Sequence, residues 1–151
     1  MEYKYISYSE SDTESLAENI ESEHFPGMVI CLNGELGSGK TVFTKSFANA
    51  LGIKEQVTSP TFNIIKEYSN GELPLYHMDV YRIGNNVDEL GLDEYFDKDG
   101  VTIIEWAEMI EEYLPDERLD ILIKVTGEDT RTIILKPYGK VYEDICEAIL
   151  W

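Results

Sequence analysis

The chain has 151 residues and a mass of 17.3 kDa, one domain's worth, and at that size folding buries roughly 68–70% of the surface the unfolded chain exposes. Apolar residues make up 43% and charged residues 28%, which excludes a collagenous, low-complexity or wholly disordered chain. Thirty acidic residues against 12 Lys and Arg give a net charge of −18, which argues against a direct grip on a nucleic-acid backbone or an anionic membrane surface. A phosphorylated small molecule stays within reach, because a pocket of backbone N–H groups and one or two cations needs no basic surface.

In chain order, residues 3–8 read as a short strand. Ser11 and Glu14 have capping-box spacing, and Leu16, Ala17 and Ile20 give the helix that follows an apolar stripe. Residues 28–33 (MVICLN) are the continuous apolar run of a buried parallel strand. Residues 39–51 place Phe43, Phe47, Ala50 and Leu51 at helical spacing, with Gly52 in the stop position. Residues 62–68 and 75–82 flank Asn70-Gly71, a hairpin signal. A short helix over 86–96, a buried strand over 101–105 (VTIIE) and a helix over 107–114 follow. Residues 119–126 and 130–136 flank Gly-Glu-Asp as a second hairpin, and a helix near 140–150 closes the chain. This alternation predicts an α/β fold, a mixed sheet with hairpin additions covered by helices. No linker divides the chain and no internal repeat is visible, so residues 1–151 read as one domain. No apolar run reaches the 18 residues of a membrane span, and the acidic start lacks the pattern of a signal peptide. Cys31 and Cys146 lie in apolar periodic segments and read as reduced core thiols of a cytoplasmic protein.

The sharpest signal is Gly34-Glu35-Leu36-Gly37-Ser38-Gly39-Lys40-Thr41, which matches G-x-x-x-x-G-K-[ST] between an apolar strand and an amphipathic helix. Glycines there let the backbone wrap tightly and present its N–H groups to phosphate oxygens at a helix N-terminus. Lys40 would neutralise the β- and γ-phosphates, and the Thr41 hydroxyl would bind a bridging magnesium ion. A site of this kind needs an acid at the end of a neighbouring strand to hold the metal. Glu105, closing VTIIE, is favoured for that role. Asp79, on a face shared with His77 and Tyr81, is favoured as a carboxylate that supports the ligands or orients a water. Either acid could instead sit at a solvated strand end. Thr58-Ser59-Pro60-Thr61 could fold over a γ-phosphate as a switch loop, or be an ordinary capped loop. His77 reads as a half-buried packed residue. Arg82 and Arg131 could stabilise phosphate charge, with salt bridges to the abundant carboxylates the better expectation. Trp106 reads as a core aromatic or, if half exposed, a stacking surface.

Taken jointly and in order, GELGSGKT, TSPTFNIIKEY, YHMDVYR and IIEWAE resemble the TsaE (YjeE) family over nearly the whole chain. The resemblance implies a small three-layer P-loop NTPase fold that binds ATP or ADP with Mg2+ and hydrolyses ATP weakly alone. It implies work with a TsaB–TsaD type protein complex in threonylcarbamoyladenosine (t6A) modification of tRNA, with hydrolysis resetting the complex rather than transferring the threonylcarbamoyl group. By resemblance, Glu35, Leu36, Gly37, Ser38, Gly39 and Lys40 cradle phosphates, Thr41 and Glu105 hold magnesium, and Thr61 and Asp79 fall in switch and catalytic positions. Thr13 and Arg131 match positions that line the nucleotide. Two other readings of the P-loop stay open: a small-molecule kinase passing the γ-phosphate to an acceptor, and a nucleotide-dependent binding switch.

Overall fold

A computed structural model describes residues 1–58, 65–81, 91–96 and 99–150. Strand β1 (Tyr3–Ser7) leads to α1 (Glu10–Glu21), β2 (Val29–Gly34) and α2 (Lys40–Ala50). Strands β3 (Ile65–Tyr68) and β4 (Leu75–Asp79) precede the short α3 (Leu92–Phe96) and β5 (Val101–Glu105). A 3-10 helix (Ala107–Tyr113), the hairpin of β6 (Arg118–Val125) and β7 (Arg131–Tyr138), and α4 (Lys140–Leu150) complete the order. The seven strands form one sheet in the order β1-β7-β6-β2-β5-β4-β3. β6, β2, β5 and β4 are parallel, β1 runs the same way, and β7 and β3 are antiparallel to their neighbours. The sheet is therefore mixed and mostly parallel, with the expected hairpins at its two sides.

Alternation along β2 distributes its side chains to two cores. Ile30 and Leu32 join Leu16, Ala17 and Ile20 of α1, Phe43 and Phe47 of α2, and Tyr142 and Ile145 of α4. Val29 and Cys31 join Met78, Leu92, Ile104 and Ile110 on the opposite face. Helices thus cover both faces, making three layers. Both strand faces being buried explains why β2 and β5 read as unbroken apolar runs. Cys31 and Cys146 are buried as free thiols, and no helix among the described residues is long and apolar enough to cross a membrane.

Several local expectations are corrected. The cap of α1 is Ser9, whose hydroxyl accepts from Asp12 N while Asp12 Oδ2 accepts from Tyr8 N. The overlapping Ser9-x-x-Asp12 signal wins over Ser11-x-x-Glu14 because β1 already holds the chain extended to Ser7. β4 stops at Asp79, before the expected end at 82. The helix expected over 107–114 is present at Ala107–Tyr113 as a 3-10 helix, broken at Ile110 (φ −129°). Its start is turned by Trp106, which takes a left-handed φ of 62°. The predicted helix over 86–96 is described only at Leu92–Phe96, and Arg82 and Ser59 to Thr61 lie outside the described residues.

Candidate functional site

The register of the parallel strands decides where the polar groups meet. Leu32 of β2 pairs with Glu105 of β5, and Glu105 pairs with Asp79 of β4. Three adjacent strands therefore end together, and the glycine-rich loop leaves β2 at that same C-terminal edge, where open α/β sheets bind ligands. Gly34 opens the loop at φ +152°; a Cβ there would lie 2.7 Å from the Ile123 carbonyl oxygen and 2.7 Å from Ser38 Oγ. Gly39 closes it at φ +115° as the N-cap of α2, with no side-chain cap. The first turn of α2 thus keeps its N–H groups free of a capping side chain, at the positive end of the helix dipole.

Lys40 is buried. Its ammonium donates to the Gly34 carbonyl at 2.5 Å and lies 3.5 Å from the centre of the Trp106 ring. Burial pulls its pKa below the usual lysine range, opposed by the negative charges of Glu105, Asp79 and Glu108. Trp106 is half-buried and carries Tyr81 on its ring at 4.7 Å, so the aromatic wall beside Lys40 is two rings deep. The left-handed turn at Trp106 is what swings its indole from the end of β5 across the loop; its own N–H is tied to Leu32 O.

Glu105 is buried at the end of β5, and His77 Nε2 donates to its Oε2 at 2.5 Å. His77 is fully buried, not half-buried as the sequence suggested, and its Nδ1 has no partner among the described residues. Asp79 is half-buried and accepts from Tyr81 N at 3.0 Å. Burial raises the Asp79 carboxyl above its usual range, the Tyr81 N–H opposes that, and Glu105 adds to the rise. On the far side, Arg131 at the start of β7 donates through Nε to Ser38 O at 3.0 Å and through Nη2 to Gly37 O at 3.5 Å. Its Nη1 donates to three carbonyls of its own hairpin turn. Rather than a salt bridge to a carboxylate, its described bonds make it a strut between hairpin and loop.

These groups line one cavity of about 500 Å³, with Thr13, Leu36 to Thr41, Asp79, Glu105, Trp106 and Arg131 in its wall. Thr13 is buried on α1 and shares a hydrogen bond of 2.8 Å with Ser7 Oγ. Of the predicted residues, Glu35 is exposed and does not line the cavity, and Thr61 lies outside the described residues. Sequence reasoning missed Ser9, Glu10, Glu128 and Asp129 on the rim. They carry no motif and reach the cavity only because α1 and the β6–β7 turn fold over it. Two cations face five carboxylates in this wall, so a polyphosphate needs further positive charge to settle here. The Thr41 hydroxyl and the Glu105 and Asp79 carboxylates are hard oxygen donors, the ligand type of Mg2+. The buried Ser38 Oγ has no partner among the described residues, as fits a loop built to close on an anion.

Comparison with known proteins bears on the family and the fold. The profile of the family described as "Threonylcarbamoyl adenosine biosynthesis protein TsaE" matches residues 7–133. The tRNA threonylcarbamoyladenosine biosynthesis protein TsaE of Bacillus subtilis is 51% identical over 146 residues, 97% of this chain and 92% of that protein. The protein of the same name from Treponema pallidum is 42% identical over 71% of this chain and 80% of its own length. The crystal structure of Bacillus subtilis YdiB superposes with a TM-score of 0.84 at 47% identity, covering 98% of this chain and 93% of that one. With the loop, the two strand-end acids and the full-length likeness in agreement, the chain belongs to the TsaE family.

Proposed function

We propose that this chain binds ATP with Mg2+ and hydrolyses it slowly as the nucleotide-dependent component of tRNA threonylcarbamoyladenosine formation, acting with a TsaB–TsaD type complex in the cytoplasm. The pathway rests on family membership and on the names its relatives carry. The nucleotide chemistry rests on one observation: the glycine loop, Lys40, Thr41, Asp79, Glu105 and Arg131 converge on a single cavity from α2, β4, β5 and β7.

In this reading Lys40 leaves the Gly34 carbonyl and turns to the β- and γ-phosphates, while loop N–H groups and the start of α2 take the remaining oxygens. Thr41 and Glu105 hold the magnesium ion, which when bound offsets the negative charge of the phosphates and of the acid-rich wall. The bond from His77 fixes the Glu105 carboxylate in one orientation, so that its outward oxygen faces the cavity. Asp79 orients the attacking water, and its half-buried place suits a carboxylate that accepts a hydrogen bond from that water. Arg131 holds the loop in its closed curve through Ser38 and Gly37.

Titration calorimetry with ATP and MgCl2 tests the binding step. Wild type gives saturable heat, and Lys40→Ala lowers affinity at least tenfold because it removes the cation facing the phosphates. Nucleoside analysis of tRNA from a depleted strain tests the pathway: wild type restores t6A and Lys40→Ala does not. If Lys40→Ala restores t6A fully, the role given to the nucleotide is wrong. A labelled γ-phosphate appearing on a metabolite rather than as free phosphate would favour the kinase reading.

A further inference from the structure

The opposite end of the molecule carries a second cluster that nucleotide chemistry does not use. α2 starts at the glycine loop and runs for 11 residues, so its far end lies roughly 16 Å away at 1.5 Å per residue. There the Leu51 carbonyl accepts from Glu72 N, in the turn between β3 and β4, at 2.8 Å. α1 also ends at this pole, with Glu21 as its last residue.

Glu21 is placed against ordinary electrostatics. It is a buried carboxylate at a helix C-terminus, where the dipole disfavours an anion, and α1 carries no basic residue in its last turn. His24 sits between Glu21 and Glu72, with Nδ1 3.3 Å from Glu21 Oε1 and Nε2 3.6 Å from Glu72 Oε2. One ligand atom from each of the three side chains lies within 4.8 Å of the others.

The ring orientation narrows the chemistry. His24 Nδ1 is 2.9 Å from the Glu21 carbonyl oxygen, an acceptor, so this nitrogen carries the proton. Nε2 is turned towards the Glu72 carboxylate, 3.6 Å from its Oε2. A metal ion at Nε2 would have the Glu72 carboxylate within reach as a second ligand, and Glu21 completes a group of three whose ligand atoms lie close together. A ring anchored through one nitrogen on a backbone carbonyl while the other nitrogen faces a carboxylate is an arrangement that suits a metal-binding histidine. One imidazole nitrogen with two carboxylates suits Zn2+ rather than Mg2+ or Ca2+, which prefer oxygen throughout. Three protein ligands leave a fourth position for water.

We propose that Glu21, His24 and Glu72 form a Zn2+ site that ties the end of α1 to the β3–β4 turn, at the pole opposite the nucleotide cavity. The site is independent of the nucleotide reading. Its test uses the full-length, chelator-treated protein without nucleotide and ZnCl2 as the probe. Calorimetry gives about one zinc per chain, zinc raises the melting temperature, MgCl2 at the same concentration does not, and EDTA reverses the rise. Glu72→Gln, a change at an exposed side chain that leaves the fold intact, weakens zinc binding by about tenfold or more, and His24→Gln does the same. No zinc heat in wild type, or a zinc response that survives in both variants, overturns the site; the second result would place the ion among the acids of the cavity instead.

Discussion

At the scale of single residues, the glycine loop was legible because its pattern is local. Gly34, Gly39, Lys40 and Thr41 are set by dihedral freedom, charge and a hydroxyl within eight positions of each other. Glu105 was legible because it closes an apolar run, whereas Asp79 was read inside a strand expected to reach 82 and stands at a strand end only because β4 stops there. His77 was not legible, since its partner lies 28 residues away and only the diagonal between β4 and β5 brings them together. Trp106 was ambiguous because no spacing rule foretells a left-handed residue with a side chain. Two predictions belong here. Gly34→Ala drives a methyl group into the Ile123 carbonyl at a backbone angle that favours glycine, so urea unfolding shows a loss of about 2 kcal/mol or more, together with weakened ATP binding. The chain has two tryptophans, and among the described residues Trp106 lies against Lys40. ATP with Mg2+ therefore changes the emission of wild type and of Trp151→Phe, whereas Trp106→Phe shows no change.

Elements were read well where one apolar period ran uninterrupted, as in β2, β5, α2 and α4. They were misread where two signals overlapped or where tertiary contacts chose the geometry. Ser9 displaced Ser11 as a cap, and the segment after β5 tightened to a 3-10 turn because Trp106 N is tied to Leu32 O and Glu108 N to Asn33 Oδ1. The docking of α4 shows how a helix is fixed by one polar contact inside an apolar face. Tyr142 is buried between α4 and the sheet, its hydroxyl accepts from Val29 N at 2.9 Å, and Phe25 meets its ring edge-on at 5.5 Å. Burial pushes its phenol up to about 12. Below pH 10 the phenol is neutral in both states and its contribution is fully present. Between 10 and 12 the unfolded chain ionises while the folded one resists, so stability drains away as pH rises, by up to about 2 kcal/mol. Tyr142→Phe loses that part of the alkaline slope. It also leaves the Val29 N–H unpaired, lowering stability at pH 7 by about 1–3 kcal/mol in denaturant titrations.

For the whole molecule, the layered sheet followed from strand–helix alternation, while the strand order came only with the structure. A sequence does not state that β6 and β7 insert between β1 and β2, since that choice depends on which face of each strand finds a partner. The charge of −18 is a property of the molecule rather than of any site, and it yields the plainest prediction. Titrating tRNA into the isolated chain at about 0.15 M salt gives no tight binding, because too few cations are present to release counterions from the phosphates. Tight, salt-sensitive binding by the chain alone would show that this reading of its electrostatics is wrong.

The contact between the Lys40 ammonium and the Gly34 carbonyl bears on how long any guest stays. The loop is folded onto its own side chain, with the Trp106 ring against the charge. An incoming anion has to evict that internal rival, and the rival stands ready to return. Part of the attraction would thereby be offset at the outset, so an anion held there would leave more readily than from a loop without that contact.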